Sequence, residues 1–165
     1  MLGLSINKAR AKVDLERHQG EGKMESLTGA LYGGLFTRNA YLEGSLAYGV
    51  NHYRNRRHLT IGPEQRTAYS EHKADVYAAH LAGGYFFNLR GLSLGPAVAL
   101  RYAYLKETPL TETGAGSLNL KVDGRNTKSL VAEAGLRGAY LFDTSVGRIM
   151  PEIGAALIYD FDIDD

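Results

Sequence analysis

The chain has 165 residues, 19 Lys and Arg against 18 Asp and Glu, no Cys and no Trp, but 20 Gly and 11 Tyr. Its length suits one domain or part of a larger one, and a formal net charge of +1 gives no general attraction for nucleic acid or anionic lipid. The missing cysteines exclude disulfide frameworks, thiol nucleophiles and Cys-ligated zinc, while a mean hydropathy of −0.24 without any long apolar run excludes a helical membrane protein and leaves a membrane barrel open.

Taken in chain order, Met1 to Asp14 never builds the apolar stretch of a secretory signal. Either the protein stays inside the cell or this is a mature or truncated segment. Strict period-two alternation then predicts strands at 2–14, 25–36, 40–55, 69–87, 92–105, 128–142 and 148–161. In the third, Leu42, Leu46 and Tyr48 share a face opposite Glu43, Ser45 and Ala47. The fourth sets Leu81 and Tyr85 on its apolar face, and the fifth Leu94, Val98 and Leu100. Leu136 and Tyr140 follow in the sixth, Ile153 and Leu157 in the seventh. These twelve side chains are the lipid-facing candidates of an antiparallel, all-β, up-and-down transmembrane barrel.

The connections alternate in length. Segments 37–39, 88–91 and 143–147 read as tight turns, whereas 15–24, 56–68 and 106–127 read as long polar loops, with Lys121-Val122-Asp123-Gly124-Arg125 as a projecting hairpin tip. Short turns on one side and long loops on the other is the layout of a barrel with periplasmic turns and outer loops. Aromatic residues flank the short turns: Phe36 and Tyr41, Tyr85 and Phe87, Tyr140 and Phe142. They resemble half of an aromatic girdle at a membrane boundary; the plainer reading is that Tyr and Phe favour strands.

The opposite face is small and polar. Glu43, Arg101, Glu133, Arg137 and Glu152 fall on it and are the pore-lining candidates, expected to pair across neighbouring strands. In a wet lumen each pair contributes about 0–1 kcal/mol, so their role is electrostatic lining, or simply keeping the lumen hydrated. Orientation adds a further expectation. With short turns periplasmic, the first and seventh strands both run outward, and the chain stops at Asp162-Ile163-Asp164-Asp165 on the outer side. Single-chain barrels generally use an even strand number. The chain therefore reads as an internal piece of a larger barrel, one partial domain over 1–165.

Several phrases then stand together in order: Leu31-Tyr32-Gly33-Gly34; Tyr41-Leu42-Glu43-Gly44-Ser45-Leu46-Ala47-Tyr48-Gly49; Leu94-Gly95-Pro96 through Leu100-Arg101-Tyr102; Thr111-Glu112-Thr113-Gly114-Ala115-Gly116-Ser117-Leu118-Asn119-Leu120-Lys121-Val122; and Pro151-Glu152 before Tyr159-Asp160-Phe161. Over nearly the whole chain this resembles the translocator domain of autotransporters, the type V secretion proteins. The resemblance implies about seven strands of a twelve-stranded barrel in the outer membrane of a Gram-negative bacterium. It also implies a pore through which an N-terminal passenger, missing from this chain, reaches the surface, with help from the barrel-assembly machinery. The family's self-cleavage chemistry is not carried over, because the parts that bear it have no counterpart in this sequence.

No other chemistry stands out. His18, His52, His58, His72 and His80 show no compact metal-ligand spacing, and no Gly-x-Ser-x-Gly elbow, phosphate loop or dinucleotide fingerprint occurs. No enzyme activity, cofactor or nucleic-acid partner is expected. The basic cluster Arg54, Arg56, Arg57 and His58 is read as a loop, either solvated or meeting lipopolysaccharide phosphates. Outer-membrane lipid and lipopolysaccharide are the expected surroundings. Two alternatives remain open at this point: a small complete outer-membrane barrel without a secretion role, and a soluble β-sandwich adhesion module whose apolar face packs on a second sheet.

Overall fold

The computed structural model describes residues 1–15, 20–161 and 163. His18 and most of the acidic C-terminal tail named above lie outside the described residues. Strands β1 (Leu2–Leu15), β2 (Gly20–Phe36), β3 (Ala40–Ile61) and β4 (Glu64–Tyr85) are followed by short β5 (Phe87–Leu89), β6 (Leu92–Glu107), and the two-residue β7 (Leu110–Thr111) and β8 (Lys121–Val122). Strand β9 (Arg125–Tyr140), short β10 (Phe142–Thr144) and β11 (Gly147–Ile149), and β12 (Glu152–Phe161) complete the chain. The seven long strands form one antiparallel meander, β1-β2-β3-β4-β6-β9-β12. Each strand pairs with its sequence neighbours, and the two ends, β1 and β12, are not joined to each other among the described residues. The sheet is open.

The strands arise where predicted and most run further at the long-loop end, but the seventh, expected over 148–161, begins only at Glu152, because Gly147–Ile149 pair with Phe142–Thr144 instead. Segment 56–68 is not a loop: β3 and β4 stay paired from Ala40↔Tyr85 to Ile61↔Glu64, and Gly62 with Pro63 closes the hairpin, Gly62 at φ 60°. The expected 15–24 loop contracts in the same way, because β1 and β2 pair as far as Leu15↔Gly20. Beyond the apolar stretch both faces of these strands are polar, so the period-two contrast vanishes while the backbone ladder continues. At the other end, the short turns hold as expected. Arg90 and Gly91 both take positive φ, 47° and 88°, the two-residue hairpin geometry that matches strand twist. The turn at 37–39 is tied to its neighbour by Phe86 N–H donating to Asn39 O and by Asn39 Nδ2 donating to Phe86 O, at 2.6 and 2.9 Å.

Packing is the reverse of a soluble domain. Among the described residues no large side chain is fully buried, and the buried apolar positions are alanines such as Ala68, Ala74, Ala82 and Ala97. Their registers place all four on the same face, where small side chains crowd together. Large apolar side chains stand exposed on the other face. No second sheet covers that face among the described residues, which removes the sandwich alternative. Closeness on the crowded face depends on glycine. A Cβ on Gly84 would sit 2.5 Å from the Tyr41 ring, and one on Gly95 would sit 1.7 Å from the Tyr85 carbonyl oxygen.

The segment 108–124 also departs from expectation. Lys121 and Val122 pair back with Thr111 and Leu110. Asp123-Gly124 merely leads into β9, so no hairpin tip projects there. The loop instead continues β4's ladder beyond the end of β6: Tyr69 and Thr113 exchange backbone hydrogen bonds of 2.9 Å each way, and Thr108 N–H donates to Lys73 O. Glu112, 7% exposed, is gripped by Arg57 through Nε to Oε1 at 3.1 Å and Nη2 to Oε2 at 2.5 Å, and accepts the Leu120 N–H at 2.9 Å. Arg57 also donates to the Leu118 carbonyl. The Arg57 guanidinium holds the Glu112 carboxyl below the ordinary carboxylate range, assisted by the Leu120 N–H and opposed by burial. A lowered folded pKa means that this stabilisation is full above the ordinary glutamate value and is lost as pH falls through the folded one.

Two outcomes are expected. Gly95→Ala forces its methyl into backbone and destabilises the sheet by about 2 kcal/mol or more, read as a lower urea midpoint; an unchanged midpoint would contradict the close approach. Glu112→Gln frees the loop at neutral pH, at about 1–3 kcal/mol, so the Thr113 and Leu120 amides exchange hydrogen faster than in the parent. The gap between variant and parent closes at acid pH. Equal protection of the two proteins at neutral pH would show that the clamp does not hold the loop.

Candidate functional site

The register divides the sheet into two surfaces with different chemistry. On one, Leu42, Leu46, Tyr48, Leu81, Tyr85, Leu94, Val98, Leu100, Leu136, Tyr140, Ile153 and Leu157 all share a face, and all are exposed. Leu2, Leu4, Ile6, Leu31 and Leu35 extend it across β1 and β2. The band runs from Leu42 to Val50 on β3 and from Tyr104 down to Leu94 on β6, close to the 9–11 residues that span a bilayer as a tilted strand.

Aromatic residues bound the band at both ends. Near the short turns Tyr85 packs on Phe87 at 5.1 Å and Tyr140 on Phe142 at 4.6 Å. Towards the long hairpins Tyr48, Tyr77 and Tyr104 form a row across three strands, with centroid separations of 5.0 and 6.0 Å, and Tyr159 meets Phe161 at 4.7 Å. This second row was not singled out in the sequence, because its members lie on separate strands and only register aligns them. Phe36 and Tyr41 require a correction. They pair with each other on the opposite, crowded face, where Tyr41 stacks on Phe86 at 5.9 Å over the bare Gly84. Strand parity, not nearness to the turn, decides the side.

The crowded face carries Glu43, Arg101, Glu133, Arg137 and Glu152. Arg101 and Glu133 are hydrogen-bonded diagonally across β6 and β9. That pair is one rung, not a ladder: among the described residues Glu43, Arg137 and Glu152 make no ion pair. Arg137 lies between Gly95 and Gly154 on its two neighbouring strands, so nothing opposite it can answer its charge. Arg137 and Glu152 instead line a cleft of about 540 Å³ near the short turns, with Arg38, Asn88 and Ser93. The histidines do not converge; His72 stacks on Tyr53 at 4.7 Å and His58 meets Thr67 at 3.1 Å. No metal-holding group of three or more ligands occurs among the described residues.

Past the Tyr48–Tyr77–Tyr104 row the exposed face turns abruptly to charge. Arg10 pairs with Glu25 at 3.2 Å, Arg54 with Glu71 at 2.8 Å and Arg56 with Glu21 at 2.8 Å. Of the basic cluster at 54–58, Arg54, Arg56 and His58 share this face and Arg57 alone turns inward to Glu112. All four stand on a strand rather than in a loop.

Comparison with known proteins agrees with this arrangement. Residues 1–165 match the family described as Autotransporter beta-domain. Outer membrane protein A of Rickettsia conorii is 26% identical over 172 residues, covering 98% of this chain, and the protein of the same name from Rickettsia rickettsii is 26% identical over 171 residues, covering 97%. The chain spans 8% of the length of each. Among solved structures, the translocator domain of the autotransporter NalP from Neisseria meningitidis superposes with a TM-score of 0.66 at 20% identity, over 99% of this chain and 56% of that one. The beta domain of the Bordetella autotransporter BrkA gives 0.60 at 18% identity, over 96% and 63%. These likenesses show the fold, and the family is a secretion module rather than a catalyst. The chain belongs to the autotransporter β-domain family, the outer-membrane translocator part of type V secretion.

Proposed function

We propose that this chain forms part of the wall of a translocation pore, its exposed apolar band against outer-membrane lipid and its small polar face lining the passage taken by an N-terminal passenger. The observation that carries this reading is the contrast between the two faces: large, exposed and apolar between two aromatic rows on one, small and crowded with isolated charges on the other. A polypeptide in transit needs a wall that offers few sticky surfaces. Ala78, Ala82, Ala97, Ala99 and Gly135 supply one, and Glu43, Arg101, Glu133, Arg137 and Glu152 keep it wet. The barrel-assembly machinery is the partner for insertion, lipid and lipopolysaccharide are the surroundings, and neither nucleic acid nor a catalytic activity has a part in the role.

The direct test is a chimera in which residues 1–165 replace the equivalent strands of the NalP translocator domain with its passenger attached. Antibody against the passenger is expected to label intact cells. A chimera that assembles in the outer membrane, judged by heat-modifiable migration, yet leaves its passenger in the periplasm would reject the pore role.

Two substitutions examine the faces. Leu46→Arg, on the apolar band, is expected to cost about 2–4 kcal/mol of folding free energy in bilayers, whereas Glu133→Gln, on the polar face, costs about 1 kcal/mol or less. Urea titration of vesicle-inserted protein reads both, and equal losses would overturn the assignment of sides. Orientation is checked separately. An epitope placed at the Gly62-Pro63 turn is expected to be accessible on intact cells, and one at Arg38 only after the outer membrane is permeabilised. The opposite pattern would invert the topology.

A further inference from the structure

The exposed apolar band is uneven. Gly29 stands between Ile6 and Tyr48, and Gly33 directly faces Gly44, so large side chains are missing at three places on β2 and β3. Two adjoining troughs result, of about 640 and 450 Å³, with Leu31, Leu46, Ala79 and Tyr102 as shared walls. Among the described residues no Asp, Glu, Lys or Arg lines either one. The upper trough is open at Gly29, where a Cβ would meet nothing within 4 Å. Side chains around such a gap forfeit dispersion contacts that an apolar occupant restores.

Depth and charge select the occupant. The apolar band ends at the row of Lys8, Leu27 and Val50, one side-chain step above Gly29, and the lower trough lies at the Gly33–Gly44 row. From Leu27 to Gly33 the strand advances about 20 Å, or about 14 Å along the membrane normal at the roughly 45° tilt of a spanning strand. Half of a hydrocarbon core of about 30 Å is about 15 Å. The troughs therefore run from the interface to the midplane, the depth of one leaflet, in the half nearer the long hairpins. Lys8 stands at their mouth, exposed and level with Leu27, and makes no ion pair among the described residues. Glu25, two residues beyond Leu27 on β2, is held by Arg10 at 3.2 Å. A slender apolar ligand one leaflet long, with an anionic group at its upper end, complements this shape and charge.

We propose that the troughs over Gly29 and Gly33–Gly44 seat one acyl chain of a bilayer lipid from the leaflet at the long-hairpin end, its phosphate beside Lys8. The site rests on the membrane-wall reading above and deepens it from general lipid contact to one held chain. Its occupant is lipid rather than a second copy of this chain.

The test uses the whole chain, folded in zwitterionic detergent, with dimyristoyl phosphatidylglycerol as probe and native mass spectrometry counting retained lipid. The parent is expected to keep one lipid. Gly29→Phe, whose ring fills the upper trough, is expected to weaken that binding about 10-fold, the equivalent of about two CH₂ groups losing their contacts. Ala134→Phe adds the same ring to the same face on β9, opposite Val98, and leaves binding unchanged. Lys8→Gln, which alters no packing, is expected to weaken it about 5-fold and reads the site even where the ring disturbs the fold. Unaltered binding in the Lys8 or Gly29 variant, equal losses in the two Phe variants, displacement by millimolar glycerol phosphate, or a dimer that Gly29→Phe dissolves would overturn the site. Failure of the membrane-wall reading itself is seen separately, as failure of the parent chain to insert into vesicles of the same lipid.

Discussion

A backbone crossing hydrocarbon has no water with which to satisfy its N–H and C=O groups, and each one left unpaired costs several kcal/mol. That constraint shapes every other feature of this chain. It explains why the long strands form antiparallel ladders along almost their whole length. Where the main ladder is interrupted near the short turns, other backbone groups take over, as when the Tyr140 N–H donates to Pro151 O and the Leu141 N–H to Gly91 O. It also explains how the strands remain ordered without a core of large side chains. Hydrogen bonding holds the sheet, and the large apolar side chains stand exposed on one face rather than packing on one another.

The same constraint governs side-chain size. On the crowded face the strands come close together, and Ala, Gly and Ser are what the space admits. Where an aromatic ring does enter, a glycine lies beneath it, as Gly84 lies under Tyr41. On the exposed apolar face composition changes along the strands: aliphatic side chains in the middle, aromatic rings at the two margins, charges beyond. A single strand such as β3 reads out that gradient along its own length, from Leu42 through Tyr48 to Arg54 and Arg56.

Alternation made the membrane-crossing parts legible. Leu42 to Val50 and Leu94 to Tyr104 contrast strongly with their neighbours because one face there is large and apolar and the other small and polar. Beyond that stretch both faces are polar, the contrast disappears, and the continuation of β3 and β4 to Ile61 and Glu64 reads as a polar loop. Phe36 and Tyr41 misled for a related reason: an aromatic beside a turn looks like a girdle residue, but one step of parity carries it to the other side. The Arg57–Glu112 clamp and the Tyr48–Tyr77–Tyr104 row join residues far apart in the chain. Register alone reveals the row, and the fold of the 108–124 loop reveals the clamp; no local pattern encodes either.

Because each long strand pairs only with its neighbours in the chain, the sheet has no crossover and almost no contact that requires distant segments to meet. Closing a loop between neighbouring strands is entropically cheap. Growth can then proceed as a zipper: a completed hairpin exposes one row of backbone donors and acceptors, and the next strand to arrive is the one that caps it. The order of strands in the sheet is thereby the order of strands in the chain. A wall built this way can be extended or shortened by whole hairpins without changing how any existing strand is paired, which gives the architecture a natural unit of evolutionary change.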